Sequence, residues 1–588
     1  MIPFVISSRV FEEAAILRHG CALRLAGLLF FGSIAAPAIA QSTAPSSITP
    51  QTLRPEQIDK AAPVTIPESN GLQAPAGADD LVVTLGTVIV EGGYSEVAAQ
   101  TDAVIAGLKG REISLREIYA KASEIEAIHA RAGYVLARVA IPPQHLENGG
   151  TLKIRIIDGF IETVDTSGLP IRIRKAVAAR AAPLVGKRHI LLAQLEQPLL
   201  IAGEAPGLIL KSTLTRGEQF GGSRLVLTGS QKRISGSIGG DNGLASALGS
   251  YGVNAQVSIN SPFGLGEQIY GFVSSGYKVT DQLNSESPVR VLGAGLVLPF
   301  GNARFALNPE LTFSRTQPLR QVGVPQTRGN LKRFTLRGSY ILSKTRSRSL
   351  TLNGVIEHID ETNSVPSFAT RLSRDRFNVA RVGFSLSANA ANGAYQSVSG
   401  QISQGLGGGP TAADAATGTS FSRLGSNASF TKLNLGFRAG LPIAKKWQFG
   451  VVAKAQYTLG KAVFRSEQTA LEGSDALSAF IGGITAVDEG GTVRIELARP
   501  IYGIGRNRIQ VQPYGFAASG YGKVNVPTAI ERGNIHAGAL GLGLRITIPK
   551  TSIAGLGVAV GAEFAHGFAD VAALNKTDRF NAAIIIRF

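Results

Sequence analysis

The chain has 588 residues, of which 44% are hydrophobic and 17% charged, with 70 glycines against one cysteine, one methionine and one tryptophan. The length allows roughly two to four domains, and the hydrophobic fraction excludes disorder of the whole chain. The 59 Lys and Arg exceed the 41 Asp and Glu by 18 charges, an excess that suits nucleic acid, an anionic membrane surface or a basic water-filled interior.

Residues 1–40 are typical of an export signal. Arg18 and Arg24 precede the 16-residue apolar stretch LAGLLFFGSIAAPAIA, which ends in a small-x-small triplet, so we expect cleavage between Ala40 and Gln41. The alternative is a transmembrane anchor, but a helical span needs about 20 residues. Cleavage would also remove the single cysteine, so disulfides are not expected.

Residues 41–79 are rich in Pro, Ser, Thr, Gln and Ala, which predicts a flexible linker with at most a short helix at RPEQIDKA, a candidate plug. Two α+β modules follow, at 80–159 and 160–230. In each module, runs of alternating apolar residues and runs of helical period follow the order strand, helix, helix, strand, strand (βααββ).

From 231 to 588 the helical period gives way to runs in which apolar and polar residues alternate, as in KWQFGVVAKAQYTLG. We predict 16 such strands, beginning near 234, 250, 267, 288, 302, 330, 347, 375, 393, 426, 446, 491, 507, 534, 553 and 578. Short turns such as PFGN and PKTS alternate with long loops such as DETNSVPSFATRLSR and 460–490. This asymmetry favours an outer-membrane barrel over the alternative, a soluble all-β sandwich or propeller.

The chain ends on DRFNAAIIIRF, an alternating strand. Phe580, Ile584 and Phe588 share one face with other apolar residues, which predicts a lipid-facing surface. We expect this strand to close the barrel against the first strand, near Ile234.

With these elements in place, the chain resembles the TpsB transporters of two-partner secretion, the hemolysin secretion and activation family. GYVLARVAIPPQ followed by GTLKIRIIDGFIE is similar to the end of that family's first POTRA module, and DNGLASALGSYGVNAQVSINSPFGLGEQI to its first barrel hairpin. The resemblance covers essentially the whole mature chain. It implies a transmembrane β-barrel of 16 antiparallel strands in the outer membrane, preceded by two periplasmic POTRA domains.

The resemblance also implies a function. POTRA domains would bind an unfolded, TpsA-like exoprotein by strand addition, and the barrel would export it through a basic lumen lined by Arg333, Arg337, Lys454 and Arg545. The barrel-assembly machinery would recognise Phe588 during biogenesis. Insertion of other barrels and passive solute transport are the alternatives.

Enzyme chemistry is not expected from the sequence. The seven histidines show no pair at metal-ligand spacing, and no nucleophile elbow or P-loop is present. We therefore expect no cofactor. Nucleic-acid binding is not expected either, because the basic residues are scattered without an aromatic platform.

In the TpsB family the sixth loop carries a Val-Arg-Gly-Tyr or Phe tetrad whose arginine pairs with a wall aspartate inside the lumen. By position the tetrad here is Leu477, Ser478, Ala479 and Phe480, and the wall position that faces it is Ala518. Both charged partners are therefore missing. Because a lone buried charge costs more than a neutral pair, this joint loss is physically coherent, and Phe480 packing is expected to hold the loop.

Two further charges lie on the predicted lumen face of the twelfth strand, at Arg494 and Glu496. They are candidates for a substitute lumen anchor. The alternative is that both are solvated lumen charges.

Overall fold

The computed structural model describes residues 43–55, 64–65, 72–276, 287–444, 446–483, 485–504, 509–529, 531–553, 556–571, 574 and 576–588. Within these ranges no helix is both long and apolar enough to cross a membrane. The predicted export signal, with its cleavage position between Ala40 and Gln41, lies outside them. The first described elements of the chain are helix α1 (Pro45–Ile48) and strand β1 (Val64–Thr65).

The first α+β module consists of β2 (Val82–Thr84), β3 (Thr87–Glu91), α2 (Ala98–Ala106), β4 (Glu112–Ser114), α3 (Leu115–Arg131), β5 (Arg138–Ala140) and β6 (Thr151–Ile157). Its main sheet has three strands in the order β3-β6-β5. Leu152, Ile154 and Ile156 alternate into the core along β6, against α3 residues such as Ile118 and Ile125. The predicted βααββ order is present, with the short strands β2 and β4 paired beside the main sheet.

The second module repeats the plan with β7 (Phe160–Gly168), α4 (Ile171–Ala181), α5 (Leu192–Gly203), β8 (Leu208–Arg216) and β9 (Gly222–Gln231). Its sheet has the order β1-β8-β9-β7. Strand β1 comes from the linker and adds to the edge strand β8 in parallel. The core is aliphatic, with Ile173 and Val177 of α4 packed against Leu225 and Leu227 of β9.

The remaining strands close into a single antiparallel barrel. They are β10 (Ile234–Asp241), β11 (Gly252–Asn260), β12 (Gln268–Gly276), β13 (Val289–Phe300), β14 (Phe305–Thr316), β15 (Arg328–Lys344), β16 (Arg348–Val365), β17 (Thr370–Asn389), β18 (Tyr395–Gly408), β19 (Thr431–Ala444), β20 (Trp447–Tyr457), β23 (Glu489–Ala498), β24 (Ile501–Ile504), β25 (Ile509–Lys523), β26 (Asn534–Ile553), β27 (Leu556–Ala569) and β28 (Thr577–Arg587). Its loops contain the short helix α6 (Ala412–Ala416) and the short strands β21 (Thr469–Ala470) and β22 (Ala486–Val487).

These segments make sixteen wall strands, because β24 continues β23 after a short interruption and both pair with β25. Pro500 lies in that interruption, where it has no N–H to donate. The barrel closes where β28 pairs with β10, in a ladder from Ser237 opposite Arg587 to Asp241 opposite Ala583. The predicted sixteen-stranded barrel is confirmed, as is its closure by the terminal strand.

Side chains alternate across the wall as the sequence predicts. On β15, Phe334 and Tyr340 are exposed on the outside, whereas Arg333 and Thr335 are buried inside. On β28, Phe580 and Ile584 are exposed on the outside. The outer surface is therefore apolar, as a lipid-facing wall requires.

The prediction of a long loop at 360–374 is wrong. Strands β16 and β17 run through this segment and are joined by only four residues, 366–369. Asp360 and Arg374 form an ion pair between the two strands at 2.6 Å. A strand that extends beyond the membrane can carry polar residues on both faces, so its sequence resembles that of a loop.

The helix predicted at RPEQIDKA is not present at its described start, Arg54 and Pro55. Proline disfavours helical dihedrals in the residue before it, and residues 56–61 lie outside the described ranges. The helical turn is instead α1, where Pro45 occupies a first-turn position that needs no N–H donor.

Candidate functional site: the loop inside the barrel lumen

The long loop between β20 and β23 folds back into the barrel as a finger, here defined as residues 471–483. At its base β21 pairs with β22 and brings the two limbs of the loop together. Glu472 then accepts hydrogen bonds from the Gly483 backbone N, at 2.5 Å, and from the Thr485 hydroxyl. The finger is thus closed on itself before it meets the wall.

Apolar packing holds the finger against the barrel wall. Leu477 and Phe480 are buried in one cluster with Ala518 of β25 and Ala539 of β26. A Cβ placed on the wall residue Gly520 would lie 2.9 Å from Leu477 Cδ1. Small wall residues are therefore what lets the finger approach so closely.

Arg494, on the lumen face of β23, is the polar centre of the contact. Its side chain is fully buried, and Nη1 donates to Ser478 Oγ at 3.1 Å. The other nitrogens donate to Glu496 Oε1 at 2.9 Å and Glu563 Oε2 at 2.5 Å. The guanidinium carbon lies 3.6 Å from the centroid of the Phe516 ring. A buried arginine with two carboxylates and an aromatic face is a fully partnered cation.

Further wall residues extend this ion-pair network across four strands. Arg545 of β26 forms a bidentate pair with Glu496, both nitrogen–oxygen distances being 2.9 Å. Tyr514 of β25 donates its hydroxyl to Glu563 of β27 at 2.8 Å and lies under the Arg545 guanidinium, 3.9 Å from its carbon. The two arginines and two glutamates compensate one another within the wall.

The last barrel strand binds the backbone of the finger. Arg579 Nη1 donates to the Phe480 carbonyl at 2.7 Å, and Asn581 Nδ2 donates to the Ser478 carbonyl at 2.9 Å. Arg579 Nη2 reaches the Asn242 carbonyl just after β10 at 2.8 Å. The finger tip is therefore attached on both sides, by β23 and by the strand that closes the barrel.

The structure thus brings together all the residues that the sequence proposes for this contact. Arg494 is the direct cross-strand neighbour of Ala518, the position where the resemblance implies a wall aspartate. The wall now carries the cation, and the finger supplies a neutral hydroxyl at Ser478. Arg494 is enclosed, which contradicts the alternative that it is a solvated lumen charge.

Four contributors were not identified from the sequence: Tyr514, Glu563, Arg579 and Asn581. The alternating pattern does place all four on lumen faces, which is the one available signal. Their contacts depend on the register among five strands and on the path of the loop. The sequence of a single strand reveals neither the register nor the path.

A second segment of the chain, residues 43–55, also occupies the lumen. The Leu53 backbone N donates to Glu310 Oε2 at 3.0 Å, and its side chain packs on Tyr270 and Val297. The predicted lumen residues Arg333 and Arg337 donate to backbone carbonyls of this segment at 2.5 and 2.6 Å. The wall therefore binds it largely through main-chain groups.

A cavity of about 430 Å³ lies between the second α+β module and the periplasmic end of the lumen. Ile209 of the edge strand β8 lines it, together with Gln256 and Phe272 of the barrel wall.

In the part of the chain that the structure describes, no group of three or more His, Cys, Asp or Glu side chains could hold a metal ion.

Comparison with known families assigns this architecture. The model of the family described as haemolysin secretion/activation protein ShlB/FhaC/HecB matches residues 221–546, and that of the ShlB-type POTRA domain matches residues 83–159. The chain belongs to the haemolysin secretion/activation family. The barrel of this family member lies in the outer membrane, and its POTRA domains lie in the periplasm.

Relatives of this haemolysin secretion/activation protein are distant in sequence. The outer membrane transporter CdiB of Escherichia coli is 24% identical over 310 residues, which are 52% of this chain and 50% of the relative. The heme/hemopexin transporter protein HuxB of Haemophilus influenzae (strain 86-028NP) is 25% identical over 28% of this chain and 30% of its own. The chain thus spans about half the length of the curated relatives it matches, or less.

Solved structures agree on the fold of this family member. CdiB from Escherichia coli superposes with a TM-score of 0.63 at 19% identity, covering 93% of this chain and 94% of that one. CdiB from Acinetobacter baumannii gives a TM-score of 0.58 at 16% identity, covering 94% and 95%.

Proposed function

We propose that this protein is an outer-membrane translocator of two-partner secretion. Its periplasmic POTRA domains bind an unfolded, TpsA-like exoprotein, and its barrel exports that partner. No catalytic step and no cofactor are required. The transporter names of its relatives, CdiB and HuxB, support this proposal.

The observation that carries the proposal is that the lumen already holds polypeptide. Residues 43–55 and the finger both lie inside the barrel, and wall side chains bind their backbone carbonyls, as Arg333 and Asn581 do. Every unfolded chain presents such carbonyls. A lumen lined in this way is suited to polypeptide of any sequence, provided that its own segments withdraw. A passive solute pore would gain nothing from this lining.

The edge of the second POTRA sheet supports strand addition as the mode of capture. Linker residues Val64 and Thr65 pair in register with Ser212 and Thr213 of β8, so this edge accepts an extra strand. Main-chain hydrogen bonds would bind a partner there with little demand on its side chains. Strand β8 also lines the cavity at the periplasmic end of the lumen, through Ile209.

Deletion of residues 81–229 tests the proposal in cells that also produce the secreted partner. Release of the partner should be lost, while the barrel remains inserted and shows the heat-dependent gel mobility of a closed barrel. Continued release from an inserted barrel would contradict capture by the POTRA domains.

A second candidate function, insertion of other barrels, is favoured by one observation. The closing ladder between β28 and β10 has five paired positions and is extended only by the two backbone hydrogen bonds between Gly236 and Phe588. The ladder between β10 and β11 has eight paired positions, so the closing ladder is the shorter of the two and the easier to open to lipid. The paired outward residues Ile238 and Ile586 allow a test. A disulfide between Ile238→Cys and Ile586→Cys should leave export intact, whereas an insertase would lose activity on oxidation.

A further inference from the structure

An apolar surface lies where the second POTRA domain meets the barrel. Ile171, the first residue of α4, is 78% exposed, and Phe263 and Leu265 in the turn between β11 and β12 are 73% and 56% exposed. We refer to these three residues as the junction patch. Single exposed apolar side chains are common on proteins, but a contiguous group marks an interaction surface.

The two halves of the junction patch are held together by close backbone contacts. Arg172 Nη1 donates to the Pro262 carbonyl at 3.2 Å, and Arg180 Nη2 donates to the Leu265 carbonyl at 3.3 Å. A Cβ on Gly264 would lie 2.8 Å from the Arg172 carbonyl oxygen. Helix α4 therefore lies along the turn, and both ends of the helix are attached to it.

The burial of Arg180 shows that helix α4 and the turn are closely packed. Arg180 is almost fully enclosed, and desolvation lowers its pKa to about 10, although Glu204 and Glu267 favour its charged form. It therefore remains a cation at neutral pH. The patch thus spans a closely packed contact between the POTRA domain and the barrel.

The junction patch continues the lipid-facing wall. Val257 and Ile259 are exposed on the outer face of β11, and Phe263 and Leu265 are exposed in the turn that follows this strand. The turn emerges at the periplasmic rim of the barrel, where the inner leaflet of the outer membrane ends. The apolar surface therefore extends from the wall onto Ile171 of the POTRA domain.

Positive charge accompanies the apolar side chains. Arg172 and Lys175 are both exposed on α4, and Lys175 lies one helical turn from Ile171 on the same side. Apolar groups beside lysine and arginine are the composition of surfaces that bind membrane interfaces with anionic headgroups. This charge favours phospholipid as the occupant over a second protein.

We propose that the junction patch seats the second POTRA domain on the inner leaflet of the outer membrane. Ile171, Phe263 and Leu265 enter the boundary between headgroups and acyl chains, and Arg172 and Lys175 meet the phosphates. The contact would fix the orientation of the domain and keep β8 beneath the lumen. The inference depends on the membrane location of the barrel and not on the identity of any cargo.

Site-specific probes in the full chain test this contact. Since the single cysteine, Cys21, lies in the predicted export signal, Ile171→Cys and Phe263→Cys each introduce one thiol into the exported chain. Both variants carry an environment-sensitive fluorophore, and Phe220→Cys is the matched control. Phe220 is 71% exposed but belongs to the β8–β9 hairpin, which abuts Ile157 of the first POTRA domain through Gly221. The proteins are placed in nanodiscs with nitroxide-labelled phospholipid, the label lying near the ester end of the acyl chain.

Probes at 171 and 263 should be quenched with blue-shifted emission, since interfacial side chains lie about 5–10 Å deep, and the probe at 220 should not. A Lys175→Glu substitution should reduce quenching at 171 when the discs contain phosphatidylglycerol. Quenching at 171 and 263 no stronger than at 220 would overturn the proposal. So would a blue shift without quenching, which would indicate that a second copy of the chain covers the patch.

Discussion

Replacing Ser478 by alanine isolates the one hydrogen bond between the finger side chains and Arg494. The bond is 3.1 Å long, and its donor is a buried cation. A hydrogen bond to a charged group contributes about 1.5–3 kcal/mol. Arg494 keeps Glu496 and Glu563 in the variant, so the wall itself should remain stable. If the finger moves between bound and withdrawn states, its withdrawn population should rise roughly 10- to 100-fold.

Single-channel recording of purified protein in planar bilayers measures this change. Withdrawal of the finger widens the lumen, so the fraction of time spent at high conductance should rise in Ser478→Ala. Ser474→Ala is the matched control, because Ser474 lies in the same finger but is exposed. Equal open fractions in the two variants would refute the assignment of the Ser478–Arg494 hydrogen bond as one of the contacts that hold the finger.

Two further substitutions probe the apolar part of the contact and the assembly signal. Phe480→Ser removes a buried ring from the contact between the finger and the wall, and loss of such a side chain costs about 3–5 kcal/mol. It should therefore raise conductance more than Ser478→Ala does. Unchanged conductance would exclude Phe480 from the anchor. Deleting Phe588 should lower the amount of heat-modifiable barrel in the outer membrane several-fold by impairing recognition during assembly. Its backbone N and O both bond to Gly236, so a loss of stability in the purified, assembled barrel would show a structural role instead.

The fold could be predicted because each wall strand carries its own signal. A strand with lipid on one side and the lumen on the other must alternate, and this constraint acts on every residue independently of its neighbours. Phe334 and Arg333 face opposite ways for that reason alone. The constraint weakens beyond the membrane, which is why the sequence predicts a loop at 360–374 although two strands continue through it.

The site was harder to predict because it depends on the pairing of strands. Positional comparison located Ser478 and Phe480 in the finger, and alternation placed Arg494 on the lumen face. The partnership of Arg494 with Glu563, 69 residues later in the chain, requires the register of four successive wall strands. A one-residue slip in any of the three ladders between them would place Arg494 and Glu563 on opposite faces of the wall.

The arrangement around Arg494 has a consequence for how the finger can move. In a contact between a loop arginine and a wall aspartate, withdrawal of the loop separates two opposite charges and leaves each without its partner, at a cost of several kcal/mol. Here Arg494, Glu496, Glu563 and Arg545 all belong to the wall. Their pairs persist whether the finger is bound or not. Withdrawal breaks hydrogen bonds to neutral acceptors and one half-exposed ion pair, between Arg438 of β19 and Asp475 of the finger, and exposed ion pairs contribute little. Moving the charge pairs into the wall therefore keeps the finger attached while lowering the electrostatic barrier to its release.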